Sequence, residues 1–247
     1  RILSSAASDV YKRQELVMHR NLFRKLVAEF VGSCFLVMVV VGSGIMAQGL
    51  STDNLGILLA NTIATGAGLT VLIWIFISIS GAHFNPAVSF VMFLEKELAL
   101  DEMAFFVCFQ VLGGLLGVIL ANAMFGLEFL QIAEKEREGL PIYLGEFIAT
   151  LGLLLTILGV RRLSLLAVAP AVGLYISAGY WFTSSTSFAN PAVTFARGFS
   201  NTFAGISPES IFPFLVFQFA GAVSAMILMR FLGCLLYTSD AADDRMR

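Results

Sequence analysis

A chain of 247 residues that is 58% hydrophobic and only 13% charged is not an ordinary soluble domain; such domains carry roughly 25% charged residues. With so few polar side chains to wet a surface, lipid must be the solvent for much of it. The net charge of −2 says nothing about partners, but with no basic stripe suited to it, nucleic acid is not an expected partner.

Residues 1–17 and 235–247 are polar and share nothing with the body between them. Both read as non-native or disordered tails, with Met18 as a candidate native start, and are set aside from fold reasoning. A helix needs about 20 apolar residues to cross the hydrocarbon. Six segments meet that length: approximately Leu22–Ala47, Leu55–Ile79, Met103–Phe125, Ile142–Val160, Leu163–Phe182 and Ile211–Cys234. Two further apolar stretches, following Asn85 to about Leu94 and Asn190 to about Phe199, are too short to span. Each opens on Asn then Pro. Asn is a favoured N-cap, and Pro fits a first helical turn because its missing N–H was an orphan anyway. These two stretches are predicted half-helices with marked starts.

The chain repeats itself in order. Ala28-Glu29-Phe30 opens the first span and Gly145-Glu146-Phe147 the fourth. Asn85-Pro86-Ala87-Val88 answers Asn190-Pro191-Ala192-Val193, and Phe109-Gln110 answers Phe217-Gln218. Each half holds three spans, an odd number, so the second half must lie upside down relative to the first. The expected fold is an all-α membrane protein: six transmembrane helices plus two re-entrant half-helices in an inverted repeat. Repeat one covers about 22–126 and repeat two about 142–234, within a single domain over 18–234. Such repeats put their working site near the midplane, where broken helices meet.

Several residues ask for a role. Asn85 and Asn190 should each cap a half-helix, and the family resemblance described below implies that each amide also offers donors to a pore. Two facing helix N-termini, each worth roughly half a positive charge, would repel cations there and favour neutral, hydroxyl-bearing solutes. Glu29 and Glu146 are carboxylates inside apolar spans, costing about 2.5–3.5 kcal/mol each unless compensated. They are either a proton relay or acceptors for backbone N–H groups of the re-entrant loops; their symmetry, and the family resemblance described below, favour the acceptors. Gln110 and Gln218 read as polar glue between helices, and His83 as a loop-fixing residue rather than a pH gate. Gly113 and Gly117 form a small-xxx-small packing face. Cys34, Cys108 and Cys234 are too scattered for a metal site, and no cofactor is expected. With two histidines, His19 and His83, and no Ser/His/Asp set, no enzyme is expected. Basic residues favour one set of span ends (Arg20, Arg24, Lys25, Lys96, Arg161, Arg162, Arg230) over the other (Lys135, Arg137, Arg197). That bias predicts cytoplasmic termini and an external, Glu-rich loop over 127–141.

The segment Ser80-Gly81-Ala82-His83-Phe84-Asn85-Pro86-Ala87-Val88 resembles the first signature of the major intrinsic proteins, the aquaporins and glycerol facilitators, and the segment around Asn190 resembles the second. The resemblance runs over roughly residues 20 to 234. It implies a passive channel in the lipid bilayer for small neutral solutes, a homotetramer, and a narrow ring of four side chains. By the family's spacing from each Asn, that ring is Thr65, Ala178, Ser187 and Val193. Most aquaporins carry Arg where this chain has Val193. All four expected side chains are small, with no aromatic and no Arg. A permissive pore is therefore expected, passing glycerol, urea, arsenous acid and similar metalloid hydroxides, and also water. The run Thr183 to Phe188 with Val193 is also similar to bacterial aquaglyceroporins found with arsenic-resistance systems, which implies arsenous acid as solute and the bacterial inner membrane as location. Arg197, one turn beyond Val193, either lines the external vestibule, or snorkels to lipid headgroups or pairs with an external Glu. The alternatives are a water-selective aquaporin and an ion-coupled secondary transporter.

Overall fold

The computed structural model describes residues 2–233, with side chains from Asn21 onward. The tail at 235–247 and the side chains of the tail at 1–17 thus lie outside the described residues. Among the described residues there are eight helices: α1 Ile2–Leu50, α2 Asn54–Ser80, α3 Pro86–Leu94, α4 Leu100–Met124, α5 Leu140–Val160, α6 Val168–Phe182, α7 Pro191–Arg197 and α8 Pro208–Phe231. No strand occurs among the described residues.

Five of them are long and apolar enough to cross a bilayer: α1 over Asn21–Leu50, α2, α4, α5 and α8. The sixth expected span is shorter than its sequence suggests. It was expected from Leu163, but α6 starts at Val168 and has 15 residues, after turns over 161–167. Pro170 supplies the reason. Its ring would clash with the carbonyl of residue 166 in a continuing helix, so Pro170 is tolerated only within a first turn. The freed carbonyl of Leu166 accepts from the indole N–H of Trp74 at 3.0 Å.

The two half-helices, α3 and α7, begin where the Asn-Pro pairs predict. Asn85 and Asn190 both sit in extended backbone as N-caps, with Pro86 and Pro191 in the first helical position. We call the end of the bundle where α1 enters and α8 leaves the base, and the opposite end the mouth. The loop after α2 folds back from the base to the middle before α3; the loop after α6 folds back from the mouth before α7.

The inverted repeat is visible in the packing. α1 lies against α4 and α5 against α8, and α2 crosses α6 between the halves. Close approach depends on glycine at matched places. A methyl group on Gly113 would overlap the backbone carbonyl of Phe30; one on Gly221 would overlap that of Phe147. The outer face carries exposed Phe35, Trp74, Leu174 and Phe212, the surface that lipid wets.

Candidate functional site

A cavity of about 230 Å³ runs through the molecule beside the two half-helices, from Glu97 and Arg161 at the base to Arg197 at the mouth. Its walls follow helical periodicity. Thr65, Leu69, Ile73 and Ile77 line it from α2, and Val168, Val172, Ile176 and Tyr180 from α6. Residues four apart share one helix face, so each helix contributes a single stripe.

At the centre the halves are stitched together. Asn85 accepts Ala87 N–H at 2.9 Å through Oδ1, and its Nδ2 donates to the carbonyl of Ala189 at 2.7 Å. Asn190 accepts Ala192 and Val193 N–H at 3.0 and 3.3 Å, and its Nδ2 donates to the carbonyl of Phe84 at 2.7 Å. Each Asn thus caps its own half-helix and holds the opposite loop. One N–H of each amide has no protein partner among the described residues, and both Asn side chains line the cavity.

The loops that carry these Asn residues are bent in a matched way. Ala82 and Phe84 before Asn85, and Ser187 and Ala189 before Asn190, all have positive φ, between 47° and 54°. Non-glycine residues hold that conformation only when surroundings enforce it. Here the buried carboxylates do. Glu29 accepts from His83 N–H at 3.0 Å, Phe84 N–H at 2.7 Å, Ser80 Oγ at 2.6 Å and Gln110 Nε2 at 2.7 Å. Glu146 accepts from Phe188 and Ala189 N–H, both at 2.9 Å, and Gln218 Nε2 at 2.5 Å. Each Gln reaches on to the hydroxyl four residues past its Asn: Gln110 to Ser89 at 3.0 Å, Gln218 to Thr194 at 2.8 Å. With every carboxylate oxygen accepting hydrogen bonds, the geometry is that of loop support. His83 Nδ1 lies 3.0 Å from the same Ser89 Oγ, and its ring packs edge-on to Phe106.

The expected ring needs one correction. Thr65, Ser187 and Val193 line the cavity and are nearly enclosed, but Ala178 is exposed on the outer surface of α6. Two residues on a helix turn through about 200°, so Ala178 and Tyr180 point in opposite directions. Tyr180 faces the cavity instead, and its hydroxyl donates to Thr65 Oγ1 at 3.2 Å. At the level of Thr65 the cavity lining therefore includes an aromatic ring, contrary to expectation. Ser187 Oγ, also at the cavity lining, is buried without a hydrogen-bond partner.

Arg197 does not reach toward headgroups. It is 3% exposed, lines the cavity, and donates Nε–H to the carbonyl of Ala204. Its guanidinium carbon lies 3.3 Å from the centroid of the Phe188 ring. Arg137 lies 4.8 Å from that same centroid and donates Nε–H to Gly205 O at 3.0 Å. Lys135 donates to Phe203 O at 3.0 Å. Burial, with Arg137 and Arg197 adding to it, pushes the Lys135 ammonium down from 10.5 to about 8. Sequence reasoning missed Tyr180, Phe188 and the clustering of Lys135 with Arg137. The four-residue stripe ending at Tyr180 was readable; the clustering was not, because it joins two loops 68 residues apart.

The profile of the Major intrinsic protein family matches residues 16–164. Aquaglyceroporin AqpS of Rhizobium meliloti (strain 1021) is 50% identical over 212 residues, 86% of this chain and 91% of that protein. Aquaporin NIP1-1 of Arabidopsis thaliana is 32% identical over 160 residues, 60% of this chain and 53% of that protein. The crystal structure of the aquaglyceroporin from Plasmodium falciparum superposes with a TM-score of 0.63 at 24% identity, over 85% of this chain and 95% of that one, a likeness of fold.

Proposed function

This chain belongs to the major intrinsic protein family, integral membrane channels for small solutes, and from that premise we propose that it passes uncharged polyol-like solutes larger than water. Glycerol, urea and undissociated metalloid hydroxides such as arsenous acid are the solutes we assign, with water passing too. The observation that carries this reading is the mixed lining of the cavity around Tyr180. The Tyr180 ring and the Val193 side chain offer an apolar wall, while Thr65 and the unpartnered Ser187 hydroxyl offer hydrogen bonds. A solute with a carbon edge and a row of hydroxyls matches both walls. Water uses only one of them.

Val193 removes the cation from the ring itself. Arg197 stands one turn further out on the same face of α7, where it supplies positive potential without narrowing the constriction. Cations are then opposed twice, at Arg197 and at the facing N-termini of α3 and α7. The kinship with an aquaglyceroporin supports the solute class. We assign the base, with Arg24, Lys25, Lys96, Arg161, Arg162 and Arg230, to the cytoplasmic side of a bacterial plasma membrane, and the assembly to a homotetramer.

Proteoliposomes test this directly. Stopped-flow light scattering should report glycerol, urea and arsenous acid entering, with no dependence on ion gradients. Rapid water flux with glycerol excluded would overturn the reading in favour of a water-selective pore.

A further inference from the structure

The two ends of the cavity differ in how they treat charge. Among the described residues every ion pair lies at the base: Lys25 with Glu102, Arg161 with Glu97, and Arg230 with Glu95. The mouth has three cations, Lys135, Arg137 and Arg197, and no carboxylate within ion-pair distance of them among the described residues.

These cations are gathered by backbone. Three successive carbonyls of the loop between α7 and α8 hold them: Phe203 O accepts from Lys135 at 3.0 Å and Arg137 Nη2 at 3.4 Å, Ala204 O from Arg197, and Gly205 O from Arg137 at 3.0 Å. The facing segment runs extended. Ala133 N–H donates to Gly198 O, Ser207 N–H donates to Lys135 O, and Arg137 N–H donates to Ser210 Oγ. An extended chain alternates its sides, so Ala133 and Arg137 turn inward while Glu134, Glu136 and Glu138 face solvent. Glu146, the carboxylate near enough to act on both arginines, has both oxygens occupied by Phe188 N–H, Ala189 N–H and Gln218.

The cations step inward. Lys135 is exposed, Arg137 is 8% exposed, and Arg197 is 3% exposed and lines the cavity. Lys135 and Arg137 share one carbonyl; Arg137 and Arg197 share the Phe188 ring. The two Nη groups of Arg197 have no hydrogen-bond partner among the described residues. A buried guanidinium with a free fork is the side chain best matched to a planar or tetrahedral oxyanion.

We propose that the mouth is a binding site for a small soluble oxyanion, a carboxylate or a phosphate-like anion, held by the free fork of Arg197 with Arg137 and Lys135 behind it. The occupant sits above the constriction and obstructs it from that side alone. Uncharged solutes then cross a pore whose outer entrance responds to anion concentration. The enclosure of Arg137 and Arg197 inside the mouth points to a soluble anion rather than a lipid headgroup. This inference rests on the vestibule position of Arg197 used in the proposed function.

Inorganic phosphate is the probe, titrated calorimetrically against the full chain in nanodiscs of zwitterionic lipid at neutral pH. Saturable binding is expected. Arg197→Gln should weaken it about tenfold or more and Arg197→Lys less, because Lys keeps the charge and loses the fork. Lys135→Gln, at an exposed side chain that leaves the fold intact, should weaken it about threefold and keeps the test decisive if Arg197→Gln does not fold. Absence of phosphate binding, or equal affinity in all variants, overturns the site. Discs of anionic lipid should leave phosphate binding intact; its abolition there gives the cations to headgroups and also overturns the proposal. Glycerol flux in proteoliposomes is read separately. Phosphate binding without glycerol flux sinks the channel reading and leaves the site standing; glycerol flux without phosphate binding does the reverse.

Discussion

The hydroxyl of Tyr180 donates to Oγ1 of Thr65 at 3.2 Å, joining α6 to its neighbour α2 at the cavity wall. One aromatic side chain is therefore braced by the adjoining helix, and on the proposed function it limits how large a solute passes. Tyr180→Ala should open the constriction to longer polyols, raising erythritol and sorbitol flux about tenfold; truncating a large side chain removes a whole ring of contact surface. Tyr180→Phe keeps the ring and loses only the hydroxyl, so its glycerol flux should stay within about twofold. Vesicle swelling with the polyol series measures both. Sorbitol flux unchanged in Tyr180→Ala would mean that the narrowest point lies elsewhere.

Val193 and Arg197 lie four apart on α7, both facing the cavity. Val193→Arg puts a second guanidinium one turn from the first. Glycerol flux should fall about tenfold, since a long charged side chain fills the space that valine leaves. Stability should fall by more than the ~0.5 kcal/mol typical of an exposed like-charge pair, because this pair is enclosed. Adding Arg197→Gln should recover the stability and leave glycerol slow. A thermal melt and a glycerol flux trace on the two variants separate these effects.

Glu29 receives four hydrogen bonds and Glu146 three. Replacing either by Gln turns one acceptor oxygen into a donor facing a donor. Each buried N–H left unsatisfied costs about 1–3 kcal/mol. Both variants should melt earlier, Glu29→Gln by the larger margin. Equal melting of Glu146→Gln and the parent would show that the loop before α7 does not depend on that carboxylate.

Lys135 should lose its charge near pH 8 rather than near 10.5. Acylation of this one lysine, followed by mass spectrometry across pH, should show a midpoint near 8. The sign for stability follows. Between about 8 and 10.5 the unfolded chain still binds this proton and the folded chain does not, so stability rises with pH through that window. Below 8 both states carry the charge, and its partial desolvation and the repulsion from Arg137 and Arg197 oppose folding. A midpoint at the ordinary value would mean that the ammonium is freely hydrated.

Much of this was readable in the sequence because membrane physics writes in long, simple strokes. Apolar length gave five spans to within a few residues at each end. The Asn-Pro pairs gave the starts of α3 and α7, since capping is a local matter. The carboxylate and glutamine pairs were readable because the repeat states them twice. Ala178 failed because counting back from Asn190 passes through the irregular loop at 183–189, where positive φ values break any fixed rise per residue. Counting along α6 itself, from Val172 and Ile176, leads to Tyr180. The sixth span was overlong because hydropathy took no account of the proline at position 170. The cation cluster at the mouth depends on an extended loop meeting a turn-rich one, and no periodicity announces that contact.

The cross-bond between Asn85 and Ala189 also constrains how the chain is made. The carbonyl of Phe84 and the amide of Asn85 emerge from the ribosome more than a hundred residues before their partners, Asn190 and Ala189. Glu29 can satisfy the loop's own N–H groups from within the first half, but the Phe84 carbonyl and one Asn85 N–H find their protein partners only in the second. Left unpaired in lipid, such groups cost several kcal/mol each. The second half is therefore a polar complement to the first as well as its inverted copy.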